Sequence, residues 1–252
     1  MRVAFDIVGG REGAIAIITN LNMTAKEAKV AAEYIMDKYG HVRSVVRKVG
    51  KRSGKYRTFK IKHLLGKKNL VVVHKEYGYK LKLHLGKVHF SPREGDERER
   101  IVKQVKDGEK ILYLFSGVAP YAVAIAKKRK VEITCIEWNP TAVRYAKENI
   151  KLNKLKGVRV LKRDVKKFTS KEKFDRIIMP LGLEAIDYLK FVDIFVKKGT
   201  IIHLYGTSGD GGKDLSKQVK MILKRKFKVV NVQKVANFSP GIEKVRLDIV
   251  IV

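Results

Sequence analysis

The chain has little acid, one cysteine and no long apolar run, and each shortage closes a class of function. Its 252 residues hold 25 Asp and Glu against 56 Lys and Arg, a formal net charge of +31. Charge of that size repels itself unless a polyanion is nearby, which points to nucleic acid or an anionic surface. A lysine-rich, heat-adapted surface would balance Lys with Glu, and here Glu does not keep pace. Cys135 stands alone inside an apolar run; it excludes a disulfide framework and a zinc cluster built on cysteines, and reads as a buried core thiol. No stretch approaches the roughly 18 apolar residues of a membrane-crossing helix, and Met1–Asp6 lacks a signal-peptide layout. A soluble, cytoplasmic protein is expected. Internal repeats and low-complexity tails are absent. Hydrophobic residues make up 45%, enough for the core of one large or two small domains.

Two parts are legible. Residues 1–88 mix strand and helix patterns. Val3–Val8 and Ala14–Ile18 read as short strands around Gly9-Gly10. Thr24 with Glu27 three residues on is a capping box. The helix it opens runs to about Tyr39, with Ala28, Ala31, Ala32, Ile35 and Met36 on one face. Val42–Val49, Leu70–His74 and Tyr79–Leu85 read as strands, the last alternating apolar residues with Lys and His. This is a small α+β domain. Residues 89–110 are a connecting loop and helix, opened by Ser91-Pro92 and the charged run Arg93–Arg100.

From Ile111 onward strands alternate with helices. The strands are Ile111–Phe115, Val131–Glu137, Val158–Lys162, Arg176–Met179, Thr200–Tyr205, Lys228–Val235 and Val245–Val252; the helices are Tyr121–Lys128, Pro140–Asn153, Glu184–Val196 and Gly212–Lys226. The expected fold class of residues 89–252 is therefore α/β: a Rossmann-type sheet of seven mostly parallel strands, closed by an antiparallel hairpin. That is the class I methyltransferase layout.

The turn Phe115-Ser-Gly-Val-Ala-Pro-Tyr121 is the most informative segment. Twenty residues after Gly117, the next strand ends in Glu137-Trp-Asn-Pro140. A strand, a glycine turn, a helix and a strand ending in an acid is how a Rossmann-type sheet binds a nucleoside. The turn has one glycine where a dinucleotide fingerprint has three. That favours a nucleoside without a pyrophosphate, of which S-adenosylmethionine is the common case. The expected cofactor contacts are Phe115, Ser116, Gly117, Val118, Ala119, Pro120 and Tyr121 for the amino-acid end, Glu137 with Trp138 and Asn139 for the ribose and adenine, and Asp164 with Val165 for the adenine amino group. Trp138 reads equally well as a packed aromatic; for Asp164 the adenine contact is preferred over the alternative of a helix N-cap. Pro180 ends the fourth strand where many amine- and ring-nitrogen methyltransferases carry Asn or Asp; it offers shape and a carbonyl only.

With these residues in view the chain resembles the archaeal and eukaryotic tRNA (guanine-37-N1)-methyltransferases. The motifs that carry the resemblance are Gly54-Lys-Tyr-Arg57, His74-Lys-Glu-Tyr-Gly78, Phe90-Ser-Pro-Arg93, Glu97-Arg98, Phe115–Pro120 and Asn237-Phe-Ser-Pro-Gly241. They span nearly the whole chain. The related aminocarboxypropyl transferases of wyosine synthesis share the fold and the cofactor, and Glu137-Trp-Asn-Pro140 looks like their version of the acidic motif. The resemblance implies methyl transfer from S-adenosylmethionine to purine 37 of the anticodon loop. Glu97 matches the general base toward N1, and Arg57 the arginine that stabilises charge on O6. It makes tRNA the partner of a monomeric enzyme, with Arg93, Arg98, Arg100 and Arg144 as candidate tRNA contacts. No metal is implied.

Three departures qualify it. Tyr113-Leu114 stands where the family often has Asp before Met-Phe, and Pro180-Leu-Gly182 where it usually has Asn-Leu-Pro. Both resemble an archaeal branch that also methylates C7 of the tricyclic wyosine intermediate. The chain also starts at the family's middle domain, without the N-terminal domain that grips the tRNA elbow in many members. Phosphate contacts from the basic surface are then expected to supply affinity.

Overall fold

The computed structural model describes residues 3–56, 58–182 and 184–252. Arg57 therefore lies outside the described residues. The chain opens with β1 (Phe5–Val8) and β2 (Ala14–Ile18), then α1 (Ala25–Lys38), β3 (Val42–Ser53) and β4 (Thr58–Gly66). They form one sheet in the order β1-β2-β3-β4, with β2 and β3 parallel across α1. The capping box is present: Glu27 N–H donates to Thr24 Oγ1 at 3.2 Å, and Thr24 N–H to Glu27 Oε2 at 2.7 Å. Ala28, Ala31, Ala32 and Ile35 face Ala14, Ala16, Ile18, Val42 and Val45, and their small side chains let helix and sheet approach closely. β4 is an addition to the sequence reading, its alternation masked by Lys60 and Lys62.

β5 (Val71–Glu76) and β6 (Tyr79–His84) make a hairpin with a two-residue turn, in which Tyr77 has φ 43° and Gly78 φ 84°. Positive φ at both positions is the primed turn that matches strand twist. A short turn, Pro92–Glu94, leads into α2 (Gly95–Gln104).

The second sheet contains β7 (Lys110–Leu114), β8 (Glu132–Glu137), β9 (Val158–Lys162), β10 (Arg176–Met179), β11 (Ile201–Ser208), β12 (Phe227–Ser239) and β13 (Ile242–Ile251). Their order is β12-β13-β11-β10-β7-β8-β9. The five strands from β11 to β9 are parallel, and β13 returns antiparallel to both β11 and β12, as expected. Between them lie α3 (Pro120–Lys128), α4 (Pro140–Leu152), α5 (Leu189–Val192) and α6 (Lys213–Ile222). One face of the sheet, with Ile111, Tyr113, Ile133, Cys135 and Tyr205, packs in one cluster with α2, α3 and α4. The other, with Leu112, Leu114, Ile177, Met179, Ile202 and Leu204, clusters with α5 and α6.

The segment expected as a single helix over Glu184–Val196 is instead α5 flanked by 3₁₀ turns at Ile186–Tyr188 and Asp193–Phe195. Its buried residues Ala185, Ile186, Leu189, Val192, Phe195 and Val196 keep the spacing of one helical face, which is why the sequence reads as a single helix.

α4 also holds the hairpin. Asn149 and Asn153, both buried, present their amides to the backbone of β6 as a neighbouring strand would. Asn153 receives Lys80 N–H at 2.9 Å and donates to Lys80 O at 2.7 Å; Asn149 receives Lys82 N–H at 2.6 Å and donates to Lys82 O at 3.1 Å. The strand edge is thus satisfied by side chains.

Candidate active site

The cradle forms where β7 gives way to α3. Phe115, Gly117 and Ala119 all have left-handed backbones, at φ 53°, 54° and 63°. For Phe115 and Ala119 this costs roughly 1–2 kcal/mol each. Strain of this kind persists only where neighbours impose it, and it concentrates at ligand sites. The neighbour here is β8: Ser116 N–H donates to Ile136 O at 3.1 Å and Gly117 N–H to Glu137 Oε2 at 2.7 Å. The side chains of Ser116, Val118, Ala119 and Tyr121 are buried, so the turn offers a ligand backbone rather than side chains. A Cβ built on Gly117 meets only His89 O, at 3.6 Å, so the room beside this glycine is not filled by protein. A nucleoside cofactor with an amino-acid tail fits such a cradle.

Glu137 closes it. Oε1 accepts from Trp138 N–H at 2.8 Å and Asn139 N–H at 2.7 Å, while Oε2 takes Gly117. Burial raises its carboxyl pKa against these three donors, which favour the charged form. The carboxylate is fixed in direction at the sheet edge, where it can accept from a ribose diol.

Several expected cofactor contacts have other work. Asn139 caps α4, accepting from Thr141 N–H at 2.9 Å and donating to Lys87 O at 2.9 Å, so its side chain is structural. Asp164 caps the short turn Val165–Lys167 through Lys166 N–H at 3.0 Å, the N-cap role. Val165 is buried in the core and can offer only backbone. Pro180 is half-buried beyond Met179, and the turn after it passes through Gly182 at φ 83°. Trp138 is exposed, and the tip of the β3–β4 hairpin reaches it: Lys55 Nζ lies 4.3 Å from the indole centroid and the Tyr56 ring meets it edge-on at 6.0 Å.

Glu97 sits in the first turn of α2 and is 3% exposed. Oε1 accepts from Tyr205 Oη at 2.7 Å and from Arg246 Nη1; Oε2 accepts from Arg100 Nη1. Arg246 is fully buried, whereas the Arg100 side chain is 38% exposed. The network continues along the sheet. Arg246 also donates to both oxygens of Asp248, at 2.7 and 2.8 Å, and Asp248 meets His203 Nδ1 at 2.5 Å. His203 Nε2 faces Arg176 Nη1 at 2.6 Å, and Arg176 forks onto Glu109 at 2.7 and 2.9 Å. Arginine can only donate, so His203 accepts at Nε2 and carries its proton on Nδ1, donated to Asp248. Burial holds the His203 pKa below its ordinary value, despite Asp248. Burial also pushes the Asp248 carboxyl up, but His203, Arg246 and Asn231 outweigh it and hold it well down. The sequence reading missed Arg176, His203, Tyr205, Arg246 and Asp248. The available signal was charge at inward positions of otherwise apolar strands.

Of the candidate tRNA contacts, Arg98 must be corrected. It is 1% exposed, with Nε and Nη2 on Glu76 at 2.6 and 2.7 Å and Nη1 3.3 Å from Ser91 O. Its guanidinium ties α2 to the end of β5 and cannot reach a phosphate. Arg100 is engaged by Glu97. Arg93, paired with Asp6 at 2.5 Å, and Arg144, 3.8 Å from Glu148, are 64% and 63% exposed. No helix among the described residues is long and apolar enough to cross a membrane.

Comparison with known proteins finds clear relatives. Residues 72–234 match the model of the TRM5/TYW2 methyltransferase domain. The chain is 36% identical over 208 residues to tRNA (guanine(37)-N(1))-methyltransferase Trm5b of Pyrococcus abyssi, covering 82% of this chain and 61% of that protein. It is 30% identical over 202 residues to the tRNA(Phe) (4-demethylwyosine(37)-C(7)) aminocarboxypropyltransferase of Methanocaldococcus jannaschii, covering 78% of this chain and 81% of that one. The crystal structure of Methanocaldococcus jannaschii Trm5 in complex with adenosine superposes with a TM-score of 0.83 at 31% identity, over 98% of this chain and 72% of that one. The chain thus spans less than two thirds of the Trm5b relative's length.

Proposed function

The chain belongs to the TRM5/TYW2 methyltransferase domain family, and from that premise we propose that it methylates N1 of guanosine 37 in a tRNA anticodon loop, using S-adenosylmethionine. The observation that carries this reading is the Gly117–Glu137 clasp at the carboxyl edge of β7 and β8, with Glu97 nearby on the sheet face that α2 covers. Trm5b, of that named activity, and the adenosine-bound Trm5 structure support it. When bound, S-adenosylmethionine supplies an electrophilic methyl group on sulfur. Glu137 would hold its ribose, and the backbone of Phe115–Pro120 its amino-acid end.

The target atom is stacked in the loop, so the base must flip out. N1 keeps its proton at neutral pH and needs a base to remove it. In our reading Glu97 does this through Oε2. Oε1 is locked by buried Arg246 and Tyr205, while among the described residues Oε2 is held by Arg100 alone, the exposed partner. Arg100 must swing out before the proton can transfer, and a tRNA phosphate is a natural competitor for it. Arg57 would stabilise the charge developing on O6. Arg93 and Arg144, with the net charge of +31, supply phosphate contacts and a steep salt dependence. On this reading the protein acts in the cytoplasm as a monomer, residues 1–88 carrying Arg57 and residues 89–252 the cofactor.

A second reading follows from Pro180-Leu-Gly182, which lacks the usual side-chain amide. On this reading the missing donor leaves space for a tricyclic base, and C7 of the wyosine intermediate would be the target, for methyl or aminocarboxypropyl transfer. Mass spectrometry of nucleosides from an unmodified transcript with guanosine 37, incubated with the protein and the cofactor, tests the first reading. 1-Methylguanosine is the expected product. An aminocarboxypropyl adduct, or transfer only to the wyosine intermediate, selects the second reading; no transfer to any purine-37 tRNA refutes both. Glu97→Gln is expected to lose most turnover with cofactor affinity intact, and an unchanged rate removes Glu97 from the mechanism.

A further inference from the structure

Trp138 is the chain's single tryptophan, and it directly follows the acid of the cofactor cradle. Its N–H is bound by Glu137 Oε1 at 2.8 Å, which fixes the root of the side chain at the sheet edge. The indole is 44% exposed, large for its size, yet it is not bare. Lys55 Nζ stands 4.3 Å from the ring centroid, close for an ammonium over an aromatic face. Tyr56 meets the ring at 82°, the edge-to-face geometry that aromatic quadrupoles favour. Lys55 also lies 5.8 Å from the Tyr56 centroid, so the three side chains form one cluster. Two members come from the tip of the β3–β4 hairpin, where Gly54 turns at φ 73°. The third comes from the far sheet, about eighty residues on in sequence. Tyr56 immediately precedes Arg57 in the sequence.

We propose that Trp138 is a positioning residue: it docks the tip of the β3–β4 hairpin through Lys55 and Tyr56, and so acts on the reaction through Arg57, the next residue in sequence. The inference rests on the role given to Arg57 above. Lys55 and Tyr56 are the grip, and Arg57 the working group. An indole serves because it offers a face to the ammonium and an edge to the tyrosine at once.

The test uses the full chain and an unmodified transcript with guanosine 37. Single-turnover methyl transfer at saturating cofactor and calorimetric binding of S-adenosylmethionine are measured for W138A, W138F, R57A and W138A/R57A. W138A is expected to slow transfer about tenfold with cofactor affinity unchanged, and W138F to recover most of the rate. In the R57A background W138A should add nothing. Weakened cofactor binding with an unchanged rate would mean that Trp138 stacks on adenine, and independent, multiplying effects would mean that it does not act through Arg57; either overturns the proposal. Tryptic cleavage after Lys55, read by mass spectrometry on the folded proteins, separates the two layers. If R57A alone transfers at the full rate, the role of Arg57 fails, while faster cleavage in W138A preserves the docking. Equal cleavage in W138A and the unaltered chain removes the docking itself.

Discussion

Replacing Glu76 by glutamine tests how the helix that carries Glu97 is held. Arg98 of α2 forks onto Glu76 at 2.6 and 2.7 Å, with the two side chains 1% and 8% exposed. Tyr79 Oη adds a bond at 2.7 Å. His74 takes Gly9 N–H on Nδ1 at 3.2 Å, so its Nε2 proton is donated to Glu76 at 3.3 Å. Burial alone would raise the Glu76 pKa, but His74, Arg98 and Tyr79 bring it from 4.5 down to about 2. At 1.36 kcal/mol per pH unit, that difference stabilises the ionised fold by about 3 kcal/mol. Removing one member of a buried pair costs about 3–5 kcal/mol by a separate route, because the other charge is left uncompensated. The two figures agree. The sign is that of a depressed carboxyl: the stabilisation is complete above about pH 4.5 and is lost as pH falls toward about 2. Urea unfolding followed by circular dichroism should place Glu76→Gln about 3 kcal/mol below the unaltered chain at neutral pH. The gap should narrow below about pH 4.5. A gap under about 1 kcal/mol, or one that stays constant down to about pH 3, refutes the reasoning.

Asn149→Ala removes the two bonds to Lys82 and a third, to Val118 O at 3.0 Å. At about 1 kcal/mol each it should cost about 3 kcal/mol in the same urea assay, and a loss below about 1 kcal/mol would mean that the asparagine clasp is not an edge strand in energetic terms. Gly157 and Gly199 both have left-handed backbones, at φ 73° and 84°, but an added Cβ meets Val131 O at 2.3 Å in the first and nothing within 4 Å in the second. Gly199→Ala should cost only about 1 kcal/mol and Gly157→Ala clearly more, since backbone must move; equal melting temperatures for the two variants would contradict this. Burial pushes the Cys135 thiol pKa well up, so a thiol reagent should leave the native protein unlabelled and react only on unfolding; prompt native labelling would contradict the burial.

The order of elements was legible because periodicity is local. The alternation of strands and helices after Ile111, the capping box at Thr24 and the closing antiparallel pair all stand in the structure as read. The exceptions have local causes too. In β4 the apolar positions are interleaved with Lys60 and Lys62, which reads as a charged loop until its pairing with β3 is known. In Ile186–Phe195 the buried residues, with Ala185 and Val196 beside them, follow a helical spacing, so the 3₁₀ turns at either end of α5 left no mark in the pattern. The cofactor cradle was legible for the same reason. Gly117 and Glu137 lie at the ends of adjacent parallel strands, and a twenty-residue spacing is what one strand–helix–strand unit requires.

Charged side chains were the part that sequence could not place, and the reason is physical. An arginine near a binding site and an arginine inside an ion pair look alike in a sequence. What separates them is whether the chain itself supplies the anion. Arg98 has Glu76, supplied from twenty-two positions earlier, so its charge is spent within the fold. Arg93 and Arg144 are themselves exposed despite their partners, and a phosphate can compete for them. Glu97 lies between these cases. Arg246 and Tyr205 satisfy one oxygen from buried positions, which fixes the carboxylate in place. Arg100 covers the other from a half-exposed position, and that bond is the one a polyanion can break. A carboxylate paired on both oxygens is closed as a base. One that loses its outer partner when the substrate's phosphates arrive becomes a base only in the complex. On that logic, Arg100→Met should remove the coupling between tRNA binding and the chemical step, so that a free guanine nucleoside and a tRNA compete on more equal terms than they do in the unaltered chain. Turnover numbers for the two substrates decide it, and an unchanged preference for tRNA would mean that Arg100 is not the gate.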